Sequence, residues 1–99
     1  MEEKILCSAI WYKELNMNPS NPINIKEGIV FCGFRHHNCI HQMCSITGKR
    51  NCEVGENIQG FLTNKNRFVD RKEGVKIALE SGQIEKLKYG SQLYSEDLY

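Results

Sequence analysis

Hydrophobic and polar positions alternate along the chain in blocks that differ in period. Residues Ile5 to Tyr12 (ILCSAIWY) form a short apolar and aromatic run, which predicts a strand rather than a surface helix. The run stops at a turn-rich stretch, Asn16 to Asn24, where Asn16, Asn18, Pro19, Ser20, Asn21, Pro22 and Asn24 crowd together. Prolines remove backbone donors and Asn and Ser side chains close local turns, so a surface loop is expected over about residues 14–26. Gly28 to Phe34 is again continuous and apolar, with glycines at both ends of its centre, the pattern of a buried strand. It gives way to the polar sequence Arg35-His36-His37-Asn38.

From there the period changes. Cys39, Ile40, Met43 and Cys44 recur at helical spacing and Gly48 supplies a stop, which predicts a helix over about 37–47. Ile58 to Thr63 reads as a third strand, leading into Asn64 to Val69. Asp70 and Glu73 make a D-x-x-E arrangement that opens a second helix, with Val75, Ala78 and Leu79 as its apolar face and Gly82 as its end. The remainder, Gln83 to Tyr99, carries Ile84, Leu87, Tyr89, Leu93, Tyr94, Leu98 and Tyr99, too much apolar surface for an idle tail. It is expected to pack on the domain or on a neighbour. The order strand, strand, helix, strand, helix predicts one α+β domain over residues 1–99: a small antiparallel sheet packed with two main helices.

Composition narrows the function classes. A chain of 99 residues with 13 Lys+Arg against 12 Asp+Glu is one small domain of net charge +1. Folding at this size removes roughly 65% of the unfolded surface from water, enough for one modest core with little left for a deep private site. A site shared between subunits of a homo-oligomer is therefore expected. Balanced charge argues against a DNA- or RNA-polymer binder and against a polybasic membrane binder. The acidic start Met1-Glu2-Glu3-Lys4 and the short apolar run behind it lack the features of a signal peptide or membrane span, which reads as cytoplasmic. Five cysteines (Cys7, Cys32, Cys39, Cys44, Cys52) without a CxxC pair do not read as a disulfide framework.

Two constellations carry candidate chemistry. Arg35-His36-His37 stands where a buried strand meets a helix, so its side chains and the first helical amides can address an anion together. The segment Phe61 to Arg71 combines aromatics (Phe61, Phe68), amides (Asn64, Asn66) and cations (Lys65, Arg67, Arg71), the residue types that stack on a base, read its edge and fork onto phosphate. Each group also has an ordinary structural use: phenylalanines as core, arginines paired with Asp70 or Glu73, histidines in local hydrogen bonds. Catalytic signatures such as G-x-S-x-G, GxxxxGK[ST] and GxGxxG are absent, and no cofactor is expected. Two rivals remain: a hydrolase using Cys39 or a histidine, and a zinc-stabilised module built on His37, His41 and Cys44 at i, i+4 and i+7.

The stretch Gly33-Phe34-Arg35-His36-His37-Asn38-Cys39-Ile40, the stretch Gln59 to Glu73 containing Arg67-Phe68-Val69-Asp70-Arg71, and the ending Leu93-Tyr94-Ser95-Glu96-Asp97-Leu98-Tyr99 together resemble small phage proteins of the Thoeris anti-defence protein one family. The resemblance implies a phage protein acting in the host bacterial cytoplasm. Such proteins bind cyclic ADP-ribose isomers (glycocyclic ADP-ribose) made by TIR-domain proteins and sequester them without cleavage. Some members also hold cyclic oligonucleotides at a separate site, and they assemble from dimers into larger oligomers. Carried onto this chain, the resemblance implies that Arg35, His36 and His37 line the pocket together with the Phe61–Arg71 segment. Phe61 or Phe68 would then lie against adenine, Asn64 or Asn66 on a base or ribose edge, and Arg35, Arg67 and Arg71 on the pyrophosphate.

Overall fold

The apolar run Ile5–Tyr12 is strand β1, and it takes the central place that a strand apolar on both faces demands. In the computed structural model, which describes residues 2–86 and 93–98, β1 is flanked by β2 (Ile29–Gly33) and β3 (Asn57–Thr63), and β4 (Phe68–Asp70) completes the sheet in the order β2-β1-β3-β4. Every neighbouring pair is antiparallel. Helix α1 (His36–Thr47) follows β2, helix α2 (Arg71–Glu80) follows β4, and a single helical turn, α3 (Ser95–Leu98), lies near the C-terminus. The expected α+β class and its two main helices are therefore present. Three short elements went unread: β4, only three residues long, a 3-10 turn at Asn51–Glu53, and α3, only four residues long.

Register decides which residues face the helices. Ser8 lies opposite Phe61 and Gly33, and Ile10 opposite Gln59 and Phe31, so this alternate set shares one face. Over it α1 buries Cys39 and Met43 against Ile10, Tyr12 and Phe31. Beside it α2 buries Ile77 and Ala78 against Ile5, Phe61 and Val69, joined by Ile84 and Leu93 from the C-terminal segment. Its described residues Ile84 and Leu93 pack on the domain, one of the two expected outcomes; Leu87, Tyr89 and Tyr99 lie outside the described residues. The inward face of α2 differs in detail from the expected one: Gly74, Ile77 and Ala78 point in, while Leu79 is 42% exposed. Gly74 is there because the helix crosses closely, and a methyl group on it would meet Phe61 and Leu93 at 3.1 and 3.2 Å.

The opposite face is covered by the Asn/Pro loop, which lays Ile25 onto Ala9, Val30 and Phe68. Its asparagines act as backbone substitutes. Asn24 exchanges a pair of hydrogen bonds with the Phe68 amide and carbonyl at 2.8 and 2.7 Å, and Asn21 does the same between Gly28 O and Val30 N. The helix ends obey local rules. Gly48 adopts a left-handed φ of 71° and donates to Cys44 O, and Asp70 accepts from the Glu73 amide at 2.8 Å. Among the described residues no helix is long and apolar enough to cross a membrane.

Candidate functional site

Topology brings the starts of both main helices over the middle of β3. β2 ends at Gly33 and turns into α1 through Arg35, while β4 ends opposite Gly60 and turns into α2 through Arg71. Arg35 and Arg71, distant in sequence, therefore meet the same C-terminal segment, Arg35 at Ser95 and Arg71 at Leu93 and Tyr94, and Arg71 also reaches His36.

His36 is buried, its Nε2 standing 2.8 Å from Gly60 O and its Nδ1 3.4 Å from Arg71 Nη2. A carbonyl accepts only, so Nε2 carries the proton and Nδ1 faces the guanidinium as an acceptor. Burial lowers the His36 pKa, and the nearby Arg71 charge lowers it further, so the ring is held neutral. Its edge also packs on Phe61, with centroids 5.3 Å apart.

Arg71 is half-buried and makes three further contacts. Nη2 donates to Gln59 Oε1 at 2.6 Å, Nη1 donates to Leu93 O at 2.8 Å, and the guanidinium stacks 4.5 Å from the Tyr94 ring centroid. Among the described residues no carboxylate forms an ion pair with it, and burial is the main influence that lowers its pKa. Arg35 donates from Nη1 to Ser95 Oγ at 3.1 Å and lies over the Phe34 ring. The exposed Glu96 carboxylate is held below its ordinary pKa, first by its own backbone amide and then by Arg35. A groove of about 330 Å³ is lined by Ile58, Gln59, Asp70, Arg71 and Lys72, so it joins the cluster through Arg71 and Gln59, and neither Arg35 nor His36 lines it.

The other expected site residues lie elsewhere. Phe61 is fully buried beneath α2 and Phe68 is 6% exposed on the opposite sheet face, edge-on to Trp11, so neither ring presents a surface on which a base can stack. Both are core because each face of the sheet is covered, that of Phe61 by α2 and that of Phe68 by Ile25 of the Asn/Pro loop. Asn64 ties down the N-terminal segment, accepting from Lys4 N at 2.8 Å and donating to Glu2 O at 3.0 Å. Asn66 sits at the tip of the β3–β4 turn in a left-handed conformation, φ 57°. Arg67 is paired with a carboxylate: its Nε and Nη2 fork onto Glu3 at 2.9 and 2.7 Å. It stands four residues from Arg71 along an extended strand, roughly 13 Å away. His37 is exposed, edge-on to His41 at 5.8 Å.

The structure thus unites Arg35, His36 and Arg71 and separates them from the β3–β4 turn. It adds Gln59, Tyr94, Ser95 and Glu96, which residue type alone did not single out; the signal available was the polar Ser-Glu-Asp run between Tyr94 and Leu98. Cys39 is buried and burial pushes its thiol up to about 11, the opposite of an activated nucleophile. Among the described residues no group of three His, Cys, Asp or Glu side chains is placed to hold a metal ion. No curated protein and no solved structure matches the chain. Residues 4–99 match the family described as Phage T4 y16D protein, and at that coverage the chain belongs to this phage protein family.

Proposed function

We propose that this phage-family protein binds a small phosphorylated nucleotide, of the cyclic ADP-ribose class, at the Arg35–His36–Arg71 cluster and sequesters it without cleavage. The observation that carries the reading is Arg71: a half-buried guanidinium oriented by a carbonyl, an amide and an imidazole, with no paired carboxylate among the described residues. Neutral acceptors aim the fork without cancelling its charge, the arrangement that suits capture of an incoming phosphate. Arg35 at the opening of α1 supplies a second cation, and the positive end of that helix adds to it. The resemblance to the Thoeris anti-defence family supports the identity of the ligand, because three of the residues it implicates, Arg35, His36 and Arg71, meet here.

Capture is favoured over turnover by His36. Both of its ring nitrogens are engaged, one on Gly60 O and one toward Arg71, so it orients the site and is not poised to move a proton. A sequestering protein needs nanomolar affinity, roughly −12 kcal/mol, since it turns nothing over. The groove of about 330 Å³ is small for a ligand with two riboses and a pyrophosphate. A second copy of the chain closing over the groove would complete the enclosure.

The test is direct. The protein is mixed with cyclic ADP-ribose isomers, freed of unbound ligand, heat-denatured, and the released material analysed. Near-stoichiometric intact nucleotide is expected; a cleaved product, or none, overturns the reading. Arg71→Ala should abolish capture while circular dichroism remains that of the folded chain.

A further inference from the structure

Away from the arginine cluster, two thiols stand together on the other face of the sheet. Ala9 lies directly opposite Cys32 in the β1–β2 register, and side chains two apart share a face, so Cys7 emerges diagonally next to Cys32. The two thiols are near enough to influence each other's ionisation, and Cys32 and the Gly33 amide both favour the charged form of Cys7. Both thiols are half-buried, so a small solute reaches them, whereas Cys39 is sealed in the core. These influences stabilise the Cys7 thiolate and hold its pKa down at about 7, while the Cys32 thiol is pushed up. One sulfur is thus a nucleophile at neutral pH and the other a proton-bearing neighbour within reach, the division of labour that thiol oxidation requires.

We propose that Cys7 and Cys32 form a peroxide-oxidisable dithiol site, with Cys7 the attacking thiol and Cys32 the resolving one. In the first step Cys7 Sγ⁻ attacks hydrogen peroxide. An S–O bond forms, the O–O bond breaks, and the departing hydroxide takes a proton to leave as water. In the second step Cys32 attacks the Cys7 sulfenic acid. The S–S bond forms, the S–O bond breaks, and the Cys32 proton leaves with the hydroxyl as a second water. Two thiols are oxidised by two electrons and one peroxide is reduced to two waters.

The fold permits this bridge and makes it reversible. Diagonal Cα atoms in an antiparallel pair sit about 7–8 Å apart, just beyond the span of an unstrained disulfide. β2 must therefore adjust relative to β1; it is a five-residue strand at the edge of the sheet, held on its outer side among the described residues by the Asn21 side chain and not by another strand. A bridge closed against such a displacement is reduced readily by a small-molecule thiol such as glutathione.

The test uses the full chain, reduced, desalted and titrated with hydrogen peroxide, then alkylated and mapped by mass spectrometry without reduction. An intramolecular Cys7–Cys32 link is expected, with Cys39, Cys44 and Cys52 alkylated and the link reversed by glutathione. Cys32→Ser should halt at a Cys7 sulfenic acid that dimedone traps. Oxidation that begins at the exposed Cys52, or a peroxide-treated wild-type chain in which Cys7 and Cys32 both remain alkylatable, overturns the proposal. The wild-type map decides by itself whether or not the variants fold.

Discussion

The pairing of Arg67 with Glu3 makes a quantitative prediction about acid stability. Glu3 accepts three hydrogen bonds, two from Arg67 and one from Thr63 Oγ1 at 2.7 Å, and these hold its pKa down from 4.5 to about 2. Taken at face value, that displacement corresponds to about 3 kcal/mol. The side chains of Arg67 and Glu3 retain 36% and 16% of their exposure, so water screens the pair. About 1–2 kcal/mol is the expected contribution. The sign follows from linkage: a carboxyl whose folded pKa is depressed stabilises the fold above the unfolded value and loses that stabilisation as protons bind on acidification. Stability should thus decline between about pH 4.5 and pH 2, and Glu3→Gln should flatten that part of the profile. Urea unfolding of Glu3→Gln, Arg67→Gln and the double variant at neutral pH should give a coupling energy of about 1 kcal/mol. Coupling indistinguishable from zero, or an unchanged acid profile in Glu3→Gln, refutes the argument. Because Arg67 is occupied in this way, Arg67→Ala should leave nucleotide capture intact; loss of capture would return Arg67 to the binding site.

Three further outcomes follow from named contacts. Phe61→Ala should cost about 3–5 kcal/mol in denaturant unfolding, whereas Phe61→Leu should keep capture, since the ring serves the core and not a ligand. Gly60→Ala drives a methyl group into the Val69 carbonyl and displaces the acceptor of His36, so about 1–3 kcal/mol of stability and capture itself should be lost together. The unfolded chain protonates its histidines near 6.5 and buried His36 resists, so stability contributed by His36 should be present above that value and fall on acidification below it. Denaturant midpoints measured from neutral pH to about pH 5 should show that fall in the wild type and less of it in His36→Gln.

Much of the scaffold was legible in the sequence because its signals are local. The run Ile5–Tyr12 coincides with β1, and the D-x-x-E sequence placed the start of α2 where Asp70 caps it. The predicted first helix began one residue late, since His36 looks like part of a polar linker until its burial is seen. β4 was missed because three residues carry no periodicity, and its existence depends on pairing with β3 and on Asn24 supplying hydrogen bonds from a remote loop. The site was half legible for the same reason. Arg35, His36 and Arg71 were singled out by type, but what separates Arg71 from Arg67 is partnership: Glu3 reaches one and not the other, and no spacing rule connects residue 3 to residue 67. Gln59 was unremarkable in sequence because a polar residue in a strand usually faces water. Here it faces the helices and orients a guanidinium.

The contrast between the two arginines explains why the cluster is suited to receiving an anion while the turn is not. At Arg67 a ligand phosphate would have to displace a bidentate carboxylate, losing two charge-assisted hydrogen bonds to gain two. At Arg71 the existing partners are a carbonyl, an amide oxygen, an imidazole and an aromatic face, and each stabilises the direction of the fork while leaving its charge uncompensated. Burial has already been imposed on that charge by folding, as its lowered pKa records, so an arriving phosphate relieves an existing electrostatic cost. Glu96, whose charge is felt at both Arg35 and Arg71, is exposed. It tempers the field of Arg35 and Arg71 without occupying the place a phosphate would take, which keeps the folded protein tolerable when empty and attractive to a dianion when one arrives.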